Sequence, residues 1–233
     1  MKEPLTKSSD SRFQSVIGSL LYIILGTHPD IAYAVTCLSQ FSANPSKEYL
    51  DKTLYICCYL AGTRDYALIY DGTSNQGLEG YTDTDWGSNP TTRHSTTRFF
   101  FLLAKGIISW RSRAQKTVTL SSTETEYMAL SDRSWQAAWL QNVLKKLGYN
   151  LGPIPLAGDN QGSIFISCNL VQEICSKHID ICYHYIRDCI NKGKVEVFFT
   201  KGNNNPADIF TKNLSHTKFS MLRKTLGLEF YSV

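Results

Sequence analysis

Between residues 78 and 210, strand-type and helix-type segments alternate, and acidic residues lie where several of these segments begin or end. Mg²⁺ prefers oxygen ligands, and one or two carboxylates per ion suffice when a substrate phosphate supplies further oxygens. Two such ions about 4 Å apart can clamp the attacking and leaving oxygens of a phosphodiester. The pattern predicts an α/β domain that gathers four acids at one end of a sheet: Asp83, Glu126, Asp159 and Asp208.

The first acid lies in the segment GLEGYTDTDWGSN, which predicts a strand that runs into a turn rich in Gly, Ser and Asn. Two further strands are predicted at Phe99–Leu103 and Gly106–Trp110. Because side chains alternate between the two faces of a strand, Asp83 and Asp85 share one face. Either aspartate could therefore be the metal ligand.

The second acid lies near the start of a long predicted helix, which runs from the segment SSTETE to Gly148. Apolar residues recur there at helical spacing, and two lysines lie in the last turn, where the helix dipole favours positive charge. Ser121 with Glu124 and Thr123 with Glu126 both fit a capping box, in which the acid binds a backbone N–H. A capping role is therefore the alternative for either glutamate.

The third and fourth acids also have simpler explanations. Asp159 follows an apolar run of strand length that breaks at Gly158, so it could be the N-cap of the next helix. Asp208 follows a Val/Phe strand and a Gly/Asn loop, and it lies in the first turn of a helix that starts at Pro206. An acid in a first turn is favoured by the helix dipole alone. The order of all four acids is what favours a common site.

The motifs around these acids carry a family resemblance. YTDTDW, STT, ISWRSRAQKTVTLSSTETEYMAL, GDNQGSI, KHIDICYHYIR and PADIFTK resemble the ribonuclease H region at the end of copia-type retrotransposon Pol polyproteins. The upstream stretch SVIGSLLYIILGTHPDIAYAVTCLSQFSANPSKEYL resembles the tail of the reverse transcriptase in the same polyproteins. The resemblance covers residues 13–214, which is nearly the whole chain.

The resemblance implies a ribonuclease H-like fold, a mixed five-stranded sheet with flanking helices, preceded by a small and mainly helical reverse-transcriptase tail. It implies hydrolysis of the RNA strand of RNA–DNA hybrids with two Mg²⁺ ions, or with Mn²⁺ instead. The family's catalytic and metal-binding acids match Asp83, Asp159, Asp208 and, because Tyr-Met-Ala follows it, Glu126 rather than Glu124. The implied partners are the hybrid and the rest of the Pol polyprotein.

Basic residues are expected to contact the phosphates of the substrate, although a net charge of +4 is mild for a nucleic-acid-binding protein. The segment KHIDICYHYIR is predicted to be a helix. The alternative to phosphate contact by its residues is an Asp180–His184 pair on a solvent-exposed face of that helix. The aromatic run Phe99–Phe101 is expected to belong to the core. The expected substrate-binding residues are Arg93, Arg111, Arg113, Lys177, His184 and Arg187.

The chain departs from the family pattern at several positions, including Gly158 in place of a usual cysteine and Cys182 in place of an arginine. Arg98 replaces the glycine of a usual Ser-Thr-Ser-Gly-Tyr turn, and a strained or rebuilt turn is expected there, because glycine tolerates a positive φ. The loop Lys201–Asn205 lacks the histidine that many cellular ribonucleases H carry before the fourth acid, so a metal is expected to activate the attacking water. The alternative function is a catalytically inactive or co-opted remnant that binds nucleic acid or a protein.

The N-terminal part is expected to be mainly helical. The apolar run Ser15–Gly26 is shorter than the roughly 20 residues needed to span a bilayer, so it predicts a buried helix. Two more helices and the strand Ala67–Tyr70 are expected to follow. We divide the chain into a reverse-transcriptase remnant (residues 1–75), a ribonuclease H domain (76–215) and a C-terminal tail (216–233).

The remaining sequence features concern location and origin. The seven cysteines have no paired spacing, which predicts a reducing, intracellular location in the cytoplasm, with a virus-like particle or the nucleus as alternatives and no membrane association. The chain contains no Tyr-x-Asp-Asp polymerase motif, so DNA synthesis by this chain alone is not expected. Its N-terminal sequence is typical of a polyprotein fragment.

Overall fold

The computed structural model describes residues 7–74, 76–85, 95–115, 118–119, 121–169, 185–201 and 205–231. The chain divides into two compact units. The helical unit comprises Met1–Ile69 with Ser215–Val233, and the sheet unit comprises Tyr70–Leu214. No helix within the described ranges is long and apolar enough to cross a membrane.

The helical unit contains four α-helices within its described residues: α1 (Lys7–Gly26), α2 (Ala32–Ser39), α3 (Lys47–Gly62) and α7 (His216–Thr225). The three predicted N-terminal helices are thus confirmed. A short sheet pairs β1 (Tyr66–Leu68) antiparallel with β7 (Leu228–Phe230). The C-terminal segment, which the sequence divides off as a tail, therefore supplies a helix and a strand to this unit.

A polar network joins four elements of the helical unit: the 3-10 turn Pro29–Ile31, α3, β1 and α7. The Tyr59 hydroxyl on α3 donates to Asp30 Oδ2 at 2.5 Å and accepts from Arg223 Nη1 of α7 at 3.0 Å. Arg223 Nη2 also donates to the Tyr66 hydroxyl at 3.0 Å, and its guanidinium lies 4.2 Å from the centre of that ring. Asp30 is only 3% exposed, and burial raises its pKa. Tyr59 is therefore the shared partner of a buried acid and an arginine.

The sheet unit is built on a five-stranded mixed sheet with the order β4-β3-β2-β5-β6. Its strands are β2 (Glu79–Asp85), β3 (Thr96–Leu103), β4 (Gly106–Ala114), β5 (Ile154–Gly158) and β6 (Val195–Phe199). β3 is antiparallel to both β2 and β4, whereas β5 is parallel to both β2 and β6. The predicted mixed sheet is confirmed. Val118 and Thr119, which precede the long helix of this unit, are not in a strand.

Helices flank this sheet: α4 (Ser122–Lys146), α5 (Gln161–Cys168) and α6 (Tyr185–Asn191), with a 3-10 turn at Pro206–Phe210. The predicted helix before Gly148 is confirmed, and Gly148 adopts a φ of +92° just beyond its end. Phe99 and Phe101 lie in the core, as expected, with Tyr127, Leu130 and Leu156 among their buried neighbours.

The expected strained turn at Arg98 is wrong. Arg98 lies within β3, where it pairs with Asp83 on one side and Ser112 on the other, and its φ is not positive. The tight turn occurs instead at Ala104 and Lys105, whose φ angles of 50° and 63° suit a two-residue hairpin loop. The sheet accommodates arginine at position 98 because an extended strand needs no glycine.

We expect Tyr59→Phe to destabilise the chain by about 1–3 kcal/mol, because it leaves the buried Asp30 carboxyl without the hydroxyl that binds it. Urea unfolding of the full chain measures this change. Tyr55→Phe, on the same helix but 75% exposed, is the matched control and should leave the free energy of unfolding nearly unchanged. Equal effects of both variants would contradict a stabilising role for the network.

Candidate metal centre

Three carboxylates converge in the sheet unit. Asp83 lies on β2, Glu126 lies on α4, and Asp159 directly follows β5. One carboxylate oxygen from each lies within 4.8 Å of those of the other two. Asp83 is 4% exposed and Glu126 is 6% exposed, whereas Asp159 is half-buried. The structure therefore brings together three of the four acids singled out by the sequence.

The sheet topology explains this convergence. β2 and β5 are parallel neighbours, so their C-terminal ends, which carry Asp83 and Asp159, reach the same edge of the sheet. Glu126 approaches from α4, and its Oε1 accepts a hydrogen bond from the Thr84 hydroxyl at 2.5 Å. This bond holds the helix against β2 at the residue that directly follows Asp83.

The capping alternatives are decided by direct contacts. Ser121 is the N-cap of α4, where its hydroxyl accepts from the backbone N–H of Glu124 at 3.1 Å. Glu126 lies beyond that cap and belongs to the three-carboxylate group, which does not include Glu124. The N-cap of α5 is Asn160, whose side chain accepts from the Ser163 N–H, so Asp159 is not the cap.

The choice between the two aspartates of β2 is also clear from their surroundings. Asp83 belongs to the three-carboxylate group, whereas Asp85 is 44% exposed in its side chain and lies beside Arg98. Arg98 Nη1 is 3.8 Å from Asp85 Oδ2. The buried arginine thus provides Asp85 with an oppositely charged neighbour.

Asp208 lies in the 3-10 turn, which side-chain hydrogen bonds attach to β2. Asn205 donates from Nδ2 to the Thr82 carbonyl at 2.7 Å, and its Oδ1 accepts from the Ala207 N–H. The Thr211 hydroxyl donates to Asp83 Oδ2 at 2.5 Å. Asp208 is 2% exposed. Although Asp208 does not belong to the three-carboxylate group, its turn is held directly against the strand that carries Asp83.

A lysine links the fourth acid to the first. Lys212 Nζ lies 2.5 Å from Asp208 Oδ1 and 3.8 Å from Asp83 Oδ2. Lys212 and Asp208 are four residues apart, a spacing at which helical side chains meet. The lysine side chain is 53% exposed, whereas those of its two partners are 5% exposed or less. Its ammonium therefore supplies positive charge to buried carboxylates from the solvent side.

Burial sets the electrostatics of the group. It raises the pKa of Asp83 and of Asp159, and it raises the pKa of Glu126 to about 7. Hydrogen bonds from Thr211 to Asp83 and from Thr84 to Glu126 oppose this effect, whereas the neighbouring carboxylates add to it. Without a cation, burial therefore opposes full ionisation of the three carboxylates.

Arg133, on the buried face of α4, lies entirely inside the protein. Its Nη1 donates to the Ala157 carbonyl on β5 at 2.6 Å. Within the described part of the chain, Nε and Nη2 find no hydrogen-bond partner. Burial lowers the pKa of Arg133, and the negative charge of Glu126 opposes that shift. Arg133 thus connects the helix that carries Glu126 to the strand that leads to Asp159.

Sequence reasoning missed the residues that support the acids: Thr84, Arg133, Thr211 and Lys212. Lys212 could have been found from its spacing to Asp208, because oppositely charged residues at i and i+4 commonly pair. The other three carry no local signal, because their partners are distant in sequence. Thr211 and Asp83, for example, are 128 residues apart.

The expected substrate-binding residues have different surroundings. Arg111 and Arg113 are exposed on the edge strand β4. Arg187 is half-buried, and its Nε donates to the Ile166 carbonyl at 2.9 Å. Arg93, Lys177 and His184 lie outside the described residues. Contact with phosphate therefore remains a prediction that suits Arg111 and Arg113 best.

The donor set fits a hard divalent cation. Carboxylate oxygens are the ligands that Mg²⁺ and Mn²⁺ favour, and no softer sulfur or imidazole ligand belongs to the group that the described residues form. Asp83, Glu126 and Asp159 could therefore hold one metal ion. A second ion would need Asp208, whose Oδ1 is in contact with Lys212.

No protein-family model matches the chain. It is 37% identical over 216 residues, 93% of its length, to the retrovirus-related Pol polyprotein from transposon TNT 1-94 of Nicotiana tabacum. It is 35% identical over 96% of its length to the corresponding polyprotein from transposon RE1 of Arabidopsis thaliana. The chain spans about one sixth of these relatives, 16% and 15% of their lengths.

A shorter relative is similar over part of the chain. The secreted RxLR effector protein 161 of Plasmopara viticola is 41% identical over 128 residues, which are 55% of this chain and 90% of the effector.

We predict that the metal-free protein loses stability as the pH rises from about 4.5 to 7. Between the unfolded pKa of 4.5 and the folded pKa of about 7, folded Glu126 binds more protons than unfolded Glu126. Glu126→Gln removes this contribution. The unfolding free energy of Glu126→Gln minus that of the wild type should therefore increase by roughly 2–4 kcal/mol from pH 5 to pH 8. Urea unfolding in EDTA at several pH values measures the difference.

Glu124→Gln is the matched control for this experiment, since Glu124 lies in the same helical turn but outside the group. Its stability profile should run parallel to that of the wild type. A Glu126→Gln profile that also runs parallel would contradict the raised pKa.

Proposed function

Because the chain belongs to the copia-type family of retrovirus-related Pol polyproteins, we propose that its sheet unit is a ribonuclease H that hydrolyses the RNA strand of RNA–DNA hybrids. The observation that carries this proposal is the convergence of Asp83, Glu126 and Asp159 within 4.8 Å. The mixed sheet, with the acids at the C-terminal ends of parallel neighbours, suits a ribonuclease H-like fold.

Each acid has a proposed role. Asp83 and Asp159 would hold the divalent cations, Glu126 would support one ion, and Asp208 would support the other. When bound, two Mg²⁺ ions, or Mn²⁺ in their place, supply the Lewis acidity that activates water and stabilises charge on the leaving oxygen. Thr84 and Thr211 orient the carboxylates of Glu126 and Asp83 through their hydroxyl groups.

The substrate is proposed to lie against the edge of the sheet. Arg111 and Arg113 are two residues apart on β4, so both side chains project from the same face. Their guanidinium groups can contact successive phosphates, while polar side chains near the acids contact the 2′-hydroxyls that distinguish RNA from DNA.

We assign residues 1–75 to the tail of the reverse transcriptase, whose remaining parts would be the protein partner of this chain.

A non-catalytic binding module is the second candidate function. The similarity to a secreted effector favours it, since this shorter relative is covered over 90% of its length. Lys212 also favours it, because an ammonium already neutralises part of the acidic group. This candidate keeps nucleic-acid or protein binding but predicts no cleavage.

A cleavage assay separates the two functions. With Mg²⁺ and a hybrid labelled on its RNA strand, the wild type should cut the RNA, and Asp159→Asn should reduce the rate at least about 100-fold, since even supporting residues of a metal site cost 10–100-fold. Asp188→Asn changes an acid of the same unit that lies on α6 and pairs with Lys192, so it should leave the rate unchanged.

Absence of cleavage by the wild type would favour the binding module. Equal cleavage by the wild type and Asp159→Asn would contradict the assignment of the site.

Hybrid binding tests the basic edge. In fluorescence anisotropy without metal, we expect the double change Arg111→Ala and Arg113→Ala to weaken binding about tenfold and to make its salt dependence shallower, because two phosphate contacts are lost. The control is the double change Lys145→Ala and Lys146→Ala, which removes the same charge from the exposed end of α4. Equal weakening by both pairs would indicate a general charge effect and not a binding edge.

A further inference from the structure

Lys212 occupies the space that a second metal ion would need. A Mg²⁺ ion that joined Asp83 to Asp208 would lie about 2.1 Å from an oxygen of each. The ammonium group lies 2.5 Å from Asp208 Oδ1 and 3.8 Å from Asp83 Oδ2, between the same two carboxylates. Two cations cannot share this space, because their repulsion in a partly buried site is large.

The burial of the partners explains why a cation is required at this place. The Asp208 and Asp83 side chains are 2% and 5% exposed, and a buried carboxylate is costly unless it is paired. Both oxygens in question already have hydrogen-bond donors, because Thr211 binds Asp83 Oδ2 and Lys212 binds Asp208 Oδ1. The lysine therefore satisfies the carboxylates in the absence of metal.

The lysine is also able to leave. Its side chain is 53% exposed, and an ammonium on a flexible four-carbon stem can move into solvent, where it is well hydrated. Asp83, Glu126 and Asp159 already converge while the lysine is in place, so their group does not require such a movement.

We propose that the ammonium group of Lys212 competes with the second divalent ion for Asp83 and Asp208. The three-carboxylate group then binds the first ion, and the second ion binds only when the Lys212 side chain moves into solvent. This inference rests on the metal site of the proposed function. It makes Lys212 a positioning residue that sets the order and the affinity of metal binding.

Mn²⁺ binding to the full chain tests the proposal directly. Calorimetric titration should find one tighter and one weaker ion in the wild type. Lys212→Met should tighten the weaker ion by at least about tenfold, because an opposing charge is removed from within 4 Å of its ligands. Electron paramagnetic resonance of bound Mn²⁺ should then show a coupled pair at lower total Mn²⁺ in Lys212→Met than in the wild type.

Three further variants sharpen the test. Lys212→Arg keeps the charge and should bind Mn²⁺ like the wild type. Lys212→Gln removes the charge but retains a hydrogen-bond donor. It is the second charge-removing variant and replaces Lys212→Met in the titration if that variant does not fold. Lys192→Met is the matched control, because Lys192 also pairs with an aspartate four residues away, Asp188, at 2.8 Å.

The outcomes distinguish this inference from the proposed function. Tighter binding of the second ion in both charge-removing variants supports the inference. If the wild type binds Mn²⁺ but both variants bind it equally or more weakly, Lys212 is a structural clamp and only the inference is overturned. If neither the wild type nor the variants bind Mn²⁺, both the inference and the proposed metal site are overturned.

A stability measurement gives an independent readout. In EDTA, Lys212→Met should melt at a lower temperature than Lys192→Met, because Asp208 loses its cation, and added Mn²⁺ should raise its melting temperature by more than that of the wild type. An equal Mn²⁺ effect in both proteins would contradict competition.

Discussion

Negative charge buried at one edge of the central sheet is the constraint on which the arrangement of the sheet unit depends. Asp83, Glu126 and Asp159 repel one another, and burial raises the pKa of each. The fold compensates with contacts from separate elements. Thr84 binds Glu126, and Thr211 and Lys212 approach Asp83 from beyond the 3-10 turn. The backbone brings the acids together, and these side chains stabilise the buried carboxylates with hydrogen bonds and a positive charge.

Without metal, the lysine ammonium and the threonine hydroxyls satisfy the carboxylates. In the proposed metal-bound state, divalent cations would take over that role, and Lys212 would control the entry of the second ion. Because function resides in the site and not in the fold, a relative can keep the sheet and lose the chemistry. The similarity to a secreted effector makes that distinction relevant to this chain.

Local sequence patterns predicted the elements well and some of their details poorly. The helix that became α4 was predictable because its cap, apolar spacing and terminal glycine agree. The expectation of strain at Arg98 is wrong, because the absence of a glycine does not by itself indicate strain. In the structure, position 98 is an extended residue in the middle of β3, and the positive φ angles occur at Ala104 and Lys105. Strand register, which depends on pairing with β2 and β4, decided that outcome.

The sequence by itself determined the element order, the candidate acids and their association with strand ends and helix starts, because these features follow from local spacing and from motifs. Only the tertiary structure decided which acids share a site. Asn160, not Asp159, is the N-cap of α5. Ser121 is the N-cap of α4 and binds the backbone N–H of Glu124, whereas Glu126 joins the three-carboxylate group. Lys212 lies between Asp208 and Asp83. The physical reason is that each carboxylate is controlled by contacts across the sheet. The bond from Thr84 to Glu126 spans 42 positions, and the bond from Thr211 to Asp83 spans 128.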